Sequence, residues 1–372
     1  MLLLVYEKEM EVGMASELER PMRLGFIGCG KHAIRGHAIP SLALSGMFRI
    51  TDAYDINLDA LVRFCDMVSG ARGMNSAKEV FNSPDVDAVI IATPPEFHLD
   101  LTKKAVEAGK HVFCEKPLWV GSHTSEMRAI LDLATEKNLV VTSCHPRRFA
   151  PEFVELKGAL PHMVFEVGYL LEFNFRFFYH EPSTAWRKED SLLMDHMNHE
   201  IDLLHFLIGP QPLELRKRFD AFDAYEVSGY IEGDEVIGEL EAGPRVLFTG
   251  TRRLNERLYR NELELVFDRG RCSLVSTLEN GIVNATLALS SFDLREETIL
   301  RIPSYHYENV FLDIMRNFGD AILAGGENYL TGEDLMVNNE ACNELVEKGH
   351  YSYTPSWDVR MRNFMGASYG NS

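Results

Sequence analysis

A segment in the second half of the chain carries acid–base side chains at helical spacing. Asp195, His199 and Asp202 recur at i, i+4 and i+7, so a helix would place them on one face. Imidazole titrates near neutral pH, and a nearby carboxylate can fix its tautomer and raise its basicity. The pattern indicates a general acid–base unit, although a structural ion pair on a helix surface has the same spacing. H-E-x-x-H is absent and no separate ligand cluster accompanies the segment, so we predict no metal site.

A lysine in the first half is the second candidate for chemistry. Lys116 lies in the tripeptide Glu115-Lys116-Pro117, directly after the apolar segment His111–Cys114, which reads as a buried strand. Open α/β sheets bind their ligands beyond the carboxyl ends of the strands. The sequence therefore predicts that this ammonium lies at a ligand-binding edge.

A glycine loop near the start of the chain is typical of dinucleotide binding. Gly28 permits a tight turn, Gly30 lets a phosphate approach the backbone, and Ala33 lets helix and strand pack closely. The pyrophosphate would lie on the helix N-terminus, held by its free N–H groups. We therefore predict cofactor contacts from the loop residues Gly28, Gly30, Lys31, His32 and Ala33.

Four further positions extend the predicted cofactor site. Asp55 ends the next strand, where a carboxylate accepts hydrogen bonds from ribose hydroxyls and repels a 2′-phosphate; this favours NAD over NADP. A capping aspartate at a strand–helix turn is the alternative. Thr93 and Pro94 follow another strand at the same edge, and His98 could face the nicotinamide ribose or be a surface or capping histidine.

The elements that must position these residues fall into two groups. Strand and helix patterns alternate from Arg23 to about Thr142, which predicts a parallel sheet with right-handed crossovers. Beyond His145 short strands with turn signals predominate, which predicts a mostly antiparallel sheet. The expected fold is α/β, a doubly wound Rossmann domain followed by an α+β domain with a large, mostly antiparallel open sheet. The expected boundaries are 1–21 (extension), 22–145 (Rossmann domain), 146–350 (substrate and oligomerisation domain) and 351–372 (tail).

Composition excludes several classes of partner. The net charge is −19, from 37 basic and 56 acidic residues, which argues against nucleic acid and anionic membranes. The six cysteines are scattered without a CxxC pair, as expected of reduced core residues in a cytoplasmic protein. The sequence contains no stretch of about 18 apolar residues, so no transmembrane helix is expected.

Taken in order, these motifs resemble the Gfo/Idh/MocA oxidoreductase family. The resemblance covers about residues 22 to 346, and the joint presence of the glycine loop, ATPP, EKP and D-x-x-x-H-x-x-D makes it specific. The segments that carry it are LGFIGCGKHAIRGHAIPSL, ITDAYDINLDA, DVDAVIIATPPEFHLDLTKKAVEAGKHVFCEKPL, SLLMDHMNHEIDLLHFLIG and FGDAILAGGENYLTGEDL.

The resemblance implies roles for matching residues. Lys116 would polarise the reacting oxygen beside the nicotinamide, and Glu115 would belong to the cofactor site. His199 would accept the proton during alcohol oxidation, with Asp195 as a substrate contact or orienting carboxylate. One departure is Met197, which stands where the family usually has glycine. Further candidate substrate contacts, each of which could instead be packed or salt-bridged, are Arg148, Trp186 and Arg187.

The expected activity is NAD(P)-dependent hydride transfer to or from a secondary alcohol or ketone of a sugar, cyclitol or sugar derivative. Three alternatives remain open: an imine or conjugated-bond reductase, an NAD-dependent redox-neutral glycosidase, and a non-catalytic regulator that binds a dinucleotide. Retention of the lysine and histidine argues against the regulator, and fold analogy alone does not separate the options. The resemblance also implies a homodimer or homotetramer formed through the C-terminal sheet.

Overall fold

The computed structural model of this protein describes residues 20–179, 192–221, 223–231, 243–252, 259–292, 297–323 and 328–355. Several predicted features lie outside these ranges. They are most of the N-terminal extension, the candidate substrate contacts Trp186 and Arg187, and the chain beyond residue 355.

Six parallel strands form the first sheet, in the spatial order β3-β2-β1-β4-β5-β6. The chain places β2 and β3 on one side of β1 and then β4, β5 and β6 on its other side. The strand order therefore reverses between β1 and β4, where such sheets bind ligands. The doubly wound fold expected from the sequence is confirmed. The strands are β1 (Met22–Ile27), β2 (Phe48–Tyr54), β3 (Arg72–Gly73), β4 (Ala88–Ile91), β5 (His111–Cys114) and β6 (Val141–Ser143).

Helices join these strands and cover both faces of the sheet. A π-helix (Ala33–Ala38) runs directly into α1 (Ile39–Ala43) after β1. The amide side chain of Asn57 and the hydroxyl of Ser76 accept N–H groups at the N-termini of the next two helices. The remaining helices are α2 (Leu58–Met67), α3 (Ala77–Asn82), α4 (His98–Glu107) and α5 (Thr124–Glu136).

Nine strands form the second sheet, in the order β14-β13-β12-β11-β7-β10-β9-β8-β15. Neighbouring strands are antiparallel except β7 and β10, which are parallel, so the mostly antiparallel sheet is confirmed. The strands are β7 (Leu170–Phe178), β8 (Leu213–Ala221), β9 (Ala224–Ile231), β10 (Arg245–Thr251), β11 (Tyr259–Phe267), β12 (Gly270–Glu279), β13 (Ile282–Ser291), β14 (Glu297–His306) and β15 (His350–Tyr353). Because β15 pairs with β8, the chain is still part of the sheet where a tail was expected from residue 351.

Four helices accompany this sheet and complete the core. They are α6 (Pro151–Val167), α7 (Leu192–Ile208), α8 (Glu308–Leu323) and α9 (Gly332–Glu347). The acid–base segment thus lies on α7, as predicted, and most of that helix is buried. α9 begins with a capping box, in which Thr331 and Asp334 satisfy each other's backbone N–H groups. Alternating residues of β11 point into the core, as the period of two requires.

Two global expectations can be compared with the described residues. All six cysteines are free, and five of them are buried. Among the described segments, no helix combines the length and apolar character needed to cross a membrane.

His205, on the last turn of α7, is a buried histidine with no hydrogen-bond partner for either ring nitrogen among the described residues. Burial lowers its pKa to about 4, against 6.5 for a free side chain. The unfolded chain therefore binds a proton at mildly acidic pH that the native state does not. Stability contributed by the neutral ring is present above pH 6.5 and is lost as the pH falls below it.

We expect His205→Leu to weaken the pH dependence of stability. From pH 7.5 to 5.5 the native protein should lose about 1.4 kcal/mol of unfolding free energy through this group alone, and the variant should not. Denaturant unfolding at both pH values measures the difference. His162→Leu, on the exposed surface of α6, is the matched control. Equal pH slopes for the native protein and His205→Leu would contradict the assignment.

Candidate active site

A buried ion pair joins the two domains at the centre of the candidate site. Lys116 Nζ donates to Asp195 Oδ1 over 2.9 Å and to the Asp195 carbonyl oxygen over 2.7 Å. The two side chains are only 12% and 6% exposed. Lys116 follows β5 and Asp195 lies in the first turn of α7, so the contact brings together the two motifs that the sequence singled out.

The loop after Lys116 is fixed by a side chain of α9. Asn339 Oδ1 accepts the Leu118 N–H over 2.7 Å, and Asn339 Nδ2 donates to the Trp119 carbonyl oxygen over 2.7 Å. Trp119 itself is fully buried. One amide thus satisfies a buried donor and a buried acceptor, which holds the loop that carries the lysine.

His199 lies one turn beyond Asp195 on α7, among other charged and aromatic groups. Burial lowers its pKa well below 6.5, and the positive charges of Lys116 and Arg147 lower it further. The imidazole is therefore neutral near pH 7, which is the form that accepts a proton. Its Nδ1 atom is buried and has no hydrogen-bond partner among the described residues.

The carboxylates of α7 do not bind His199 as the helical spacing suggested. Asp195 turns to Lys116 and lies 3.6 Å from His196 Nε2. Asp202 accepts hydrogen bonds from Arg148 and Asn338. Residues on one helix face thus take different partners, because Lys116 comes from the first domain and Arg148 from the segment that follows β6.

Other side chains of the site escaped the sequence reasoning. The rings of His145 and His196 lie 5.6 and 5.9 Å from that of His199. The His196 ring also packs on Phe177 of β7 and on Tyr179, which directly follows that strand. The sequence contains a signal for each histidine, since His145 comes soon after the last predicted strand of the first domain and His196 is adjacent to Asp195. Only the tertiary structure reveals that Phe177 and Tyr179 pack on His196.

A second buried ion pair, between Arg147 and Glu200, also holds α7 in place. Arg147 Nη1 donates to Glu200 Oε1 over 2.8 Å, and the guanidinium lies over the Phe175 and Phe177 rings. Burial raises the pKa of Glu200 despite the opposing effect of Arg147. The positive charge of Arg147 also helps to lower the pKa of His199.

Arg148 forms several structural contacts and also lines a cavity of about 1340 Å³ beside α7 and α9. Its guanidinium donates to Asp202, to Asp334 and to the Tyr329 carbonyl oxygen, and its side chain is 10% exposed. These bonds tie α7 to the N-terminus of α9. The role of Arg148 as a substrate contact stays a prediction.

The glycine loop has the shape that a dinucleotide requires. Gly28 has φ +91°, and a Cβ there would lie 2.4 Å from the Ala92 carbonyl oxygen, so only glycine fits. A Cβ on Gly30 would meet nothing within 4 Å, which leaves space beside the loop. The first turn of the following helix, which begins at Lys31, offers free N–H groups to a phosphate.

Asp55 faces this loop from the end of β2. Its Oδ2 atom accepts the Cys29 N–H and its Oδ1 atom accepts the Asn57 N–H, both over 2.7 Å. The half-buried carboxylate keeps lone pairs for further donors, because each oxygen accepts about two hydrogen bonds. Loop, helix terminus and carboxylate together fit the adenosine half of a dinucleotide.

His98 is buried, in contrast to the surface position considered from the sequence. Its Nδ1 atom lies 2.7 Å from the Pro117 carbonyl oxygen and its Nε2 atom 2.8 Å from that of Thr93. Burial lowers its pKa. The ring thus connects the loop after β4, which includes Thr93 and Pro94, to the loop that carries Lys116.

Glu115 is nearly buried and lies between two histidines of the helix after β1. His32 Nε2 and His37 Nε2 are each 2.7 Å from Glu115 Oε1. Burial opposes ionisation, but the two imidazoles hold the pKa of Glu115 well below its usual value. Two residues assigned to the cofactor site, His32 and Glu115, are therefore in direct contact.

Sheet, loop and ion pair define a nicotinamide-dependent oxidoreductase with a Rossmann domain. Residues 22–145 match the family model described as "Oxidoreductase family, NAD-binding Rossmann fold", whose name is GFO_IDH_MocA. The first domain therefore matches the Gfo/Idh/MocA family of oxidoreductases, and the resemblance inferred from the motifs is confirmed.

Known proteins similar to this chain are sugar and cyclitol dehydrogenases and related oxidoreductases. The myo-inositol 2-dehydrogenase of Thermotoga maritima is 22% identical over 338 residues, which cover 88% of this chain and 97% of that protein. A levoglucosan dehydrogenase, solved in complex with NADH and levoglucosan, has a TM-score of 0.73 and 19% identity, covering 90% of this chain and 100% of its own. A putative NADPH-dependent oxidoreductase of Desulfitobacterium hafniense has a TM-score of 0.72 and 18% identity, covering 90% and 98%.

We expect Asn339→Ala to destabilise the loop that carries Lys116. The substitution leaves the buried Leu118 N–H without an acceptor, which costs about 1–3 kcal/mol of unfolding free energy. Thermal and denaturant unfolding measure the loss, and Asn82→Ala at an exposed helix end is the control. Unchanged unfolding of Asn339→Ala would show that the loop is held by other contacts.

Proposed function

We propose that this protein oxidises a secondary alcohol of a sugar, cyclitol or sugar derivative with NAD⁺ and reduces the corresponding ketone in the reverse direction. The observation that carries the proposal is the meeting of Lys116 and Asp195 at 2.9 Å, beside a neutral His199, at the ligand-binding edge of the sheet. Acid–base groups and a dinucleotide loop on one edge are what hydride transfer to or from an alcohol requires.

Each side chain has a distinct task in this reaction. His199 accepts the hydroxyl proton, for which its depressed pKa keeps it unprotonated near neutral pH. The Lys116 ammonium stabilises the negative charge that develops on the substrate oxygen, and Asp195 fixes the direction of that ammonium. The bound nicotinamide supplies the hydride acceptor. In reduction, His199 returns the proton.

The walls of the site support a polyol substrate. The half-buried rings of His196 and Tyr179 combine polar atoms that hydroxyl groups can bind with apolar ring surface. Small-molecule sites combine aromatic walls with a few well-placed polar groups. The named activities of the myo-inositol and levoglucosan dehydrogenases support the same substrate class.

Asp55 supports NAD rather than NADP as the cofactor. Its carboxylate lies beside the glycine loop, where it can accept ribose hydroxyls and repel a 2′-phosphate. The next residues, Ile56 and Asn57, carry no cation to bind that phosphate. The NADPH-dependent neighbour makes this preference a question for measurement.

We expect the unphosphorylated dinucleotides to stabilise the native protein more than NADP⁺ or NADPH do. Thermal-shift titration measures the preference, because a ligand that binds only the native state raises stability by mass action. Asp55→Asn removes the negative charge while keeping hydrogen-bonding capacity, so the preference should shrink by roughly tenfold or more. Asp59→Asn, nearby and exposed, is the control. A native preference for NADPH would contradict the role of Asp55.

We expect Lys116→Met and His199→Gln each to lower kcat by roughly 10²–10⁴-fold, as loss of a charge-stabilising or proton-transfer group does. NADH absorbance with myo-inositol, other cyclitols and sugars as substrates measures turnover. The matched controls are Lys104→Met, from an exposed lysine–aspartate pair, and the exposed His162→Gln. Full turnover by either site variant would refute the assignment.

The pH profile provides an independent readout of the base. Because the pKa of His199 is depressed, the acidic limb of kcat/KM for oxidation should lie below pH 6.5. Release of a leaving group without net NADH formation would instead indicate the redox-neutral glycosidase.

We further propose a cytoplasmic homodimer or homotetramer formed through the nine-stranded sheet. The six free cysteines support the reducing compartment. Edge strand β14 is largely exposed, and its apolar Ile299 and Leu300 are 58% and 47% exposed. Such side chains on a sheet edge favour burial against a second subunit.

A further inference from the structure

Two histidines of one helix converge on a single carboxylate oxygen. His32 Nε2 and His37 Nε2 both lie 2.7 Å from Glu115 Oε1, and the three atoms all lie within 4.8 Å of one another. We call His32, His37 and Glu115 the two-histidine cluster. In the described part of the chain, this is the one group of three metal-ligating side chains whose donor atoms lie so close together.

An unusual helical geometry makes the convergence possible. The histidines are five residues apart, and in an α-helix that spacing separates side chains by roughly 140° around the axis. The segment Ala33–Ala38 is instead a π-helix, whose wider turn returns to the same face after five residues. π-Helical turns are rare and often accompany functional sites. The local backbone therefore serves to bring both imidazoles to Glu115.

The cluster combines a buried interior with one open side. His37 has no exposed surface and packs on Phe113, whereas the His32 side chain is 57% exposed. Glu115 is 8% exposed and fixed at the end of β5. A ligand bound by the three groups would therefore have two anchored donors, one adjustable donor and an opening to solvent.

Two imidazole nitrogens and one carboxylate oxygen are donors that Zn²⁺ takes in open sites. Metal binding through His37 Nε2 would place the ring proton on the buried Nδ1 atom, which has no hydrogen-bond partner among the described residues. Donors at about 2.0–2.1 Å from a tetrahedral ion lie roughly 3.3 Å apart. Small displacements, the larger of them by the exposed His32, would open that space.

We propose that the two-histidine cluster binds a divalent cation of the zinc class, with His32, His37 and Glu115 as ligands and water in the open position. The hydrogen bonds at 2.7 Å represent the cation-free form, in which ring protons take the place of the metal. This differs from the sequence expectation of no metal site, because Glu115 is remote in sequence from both histidines.

The cluster overlaps the predicted cofactor site, to which His32 and Glu115 are assigned, but it is separate from the proposed acid–base groups. Its histidines lie on the helix after the glycine loop and Glu115 follows β5, whereas His199 and Asp195 lie on α7. Cation binding can therefore be measured without any substrate or turnover.

The test is a zinc titration of tag-free protein that has been stripped with a chelator and dialysed. Competition with a chromophoric chelator should show one site with a Kd of roughly micromolar or tighter, and calorimetry in two buffers should show proton release. His32→Ala removes the exposed ligand and should weaken binding by roughly tenfold or more. Co²⁺ should give the visible absorption of a tetrahedral N/O site, which His32→Ala should lose.

The matched control is His123→Ala. His123 is 53% exposed and lies 3.7 Å from Glu126, so it is a histidine–glutamate pair without a third ligand. Its removal should leave zinc affinity unchanged, and unfolding curves confirm that both variants fold. Equal affinity of the native protein and His32→Ala would overturn the proposal. Native protein with only millimolar surface binding would overturn it as well, and the cluster would then be a hydrogen-bonded support for the Lys116 loop.

Discussion

The buried contact between Lys116 and Asp195 is the constraint on which the site depends. A lysine at the end of a parallel strand and an aspartate on a helix of the other domain reach each other with both side chains nearly buried. Removing either partner would leave a buried charge uncompensated, a cost of about 3–5 kcal/mol in comparable pairs. The pair therefore aligns the dinucleotide edge with the acid–base helix.

Helix α7 also carries two carboxylates that arginines from outside the helix neutralise. Glu200 is paired with Arg147, and Asp202 with Arg148, both from the short segment that follows β6. These pairs orient α7 around the un-ionised His199. Burial depresses the pKa of that ring, and the positive charges of Lys116 and Arg147 lower it further, so the Arg147–Glu200 pair also influences its protonation state.

The sequence predicts the tight turn at Gly28 and the position of Asp55 at the end of β2, and the structure has both. Gly28 was assigned to a tight turn, and its positive φ and the nearby Ala92 carbonyl oxygen explain why no other residue fits. Asp55 was assigned to the end of β2, where it also binds the loop N–H of Cys29. Such features are local, since a turn or a strand end is specified by neighbouring residues.

Partner choice between distant side chains was decided only by the tertiary structure. Helical spacing paired Asp195 with His199, yet the aspartate binds Lys116 because the other domain places an ammonium there. Glu115 meets both His32 and His37 only because a π-helix turns five residues onto one face. The sequence by itself determined the fold class, the glycine loop and the residues proposed to react. Their pairing and ionisation followed from packing, because burial and opposing charges depend on contacts between remote segments.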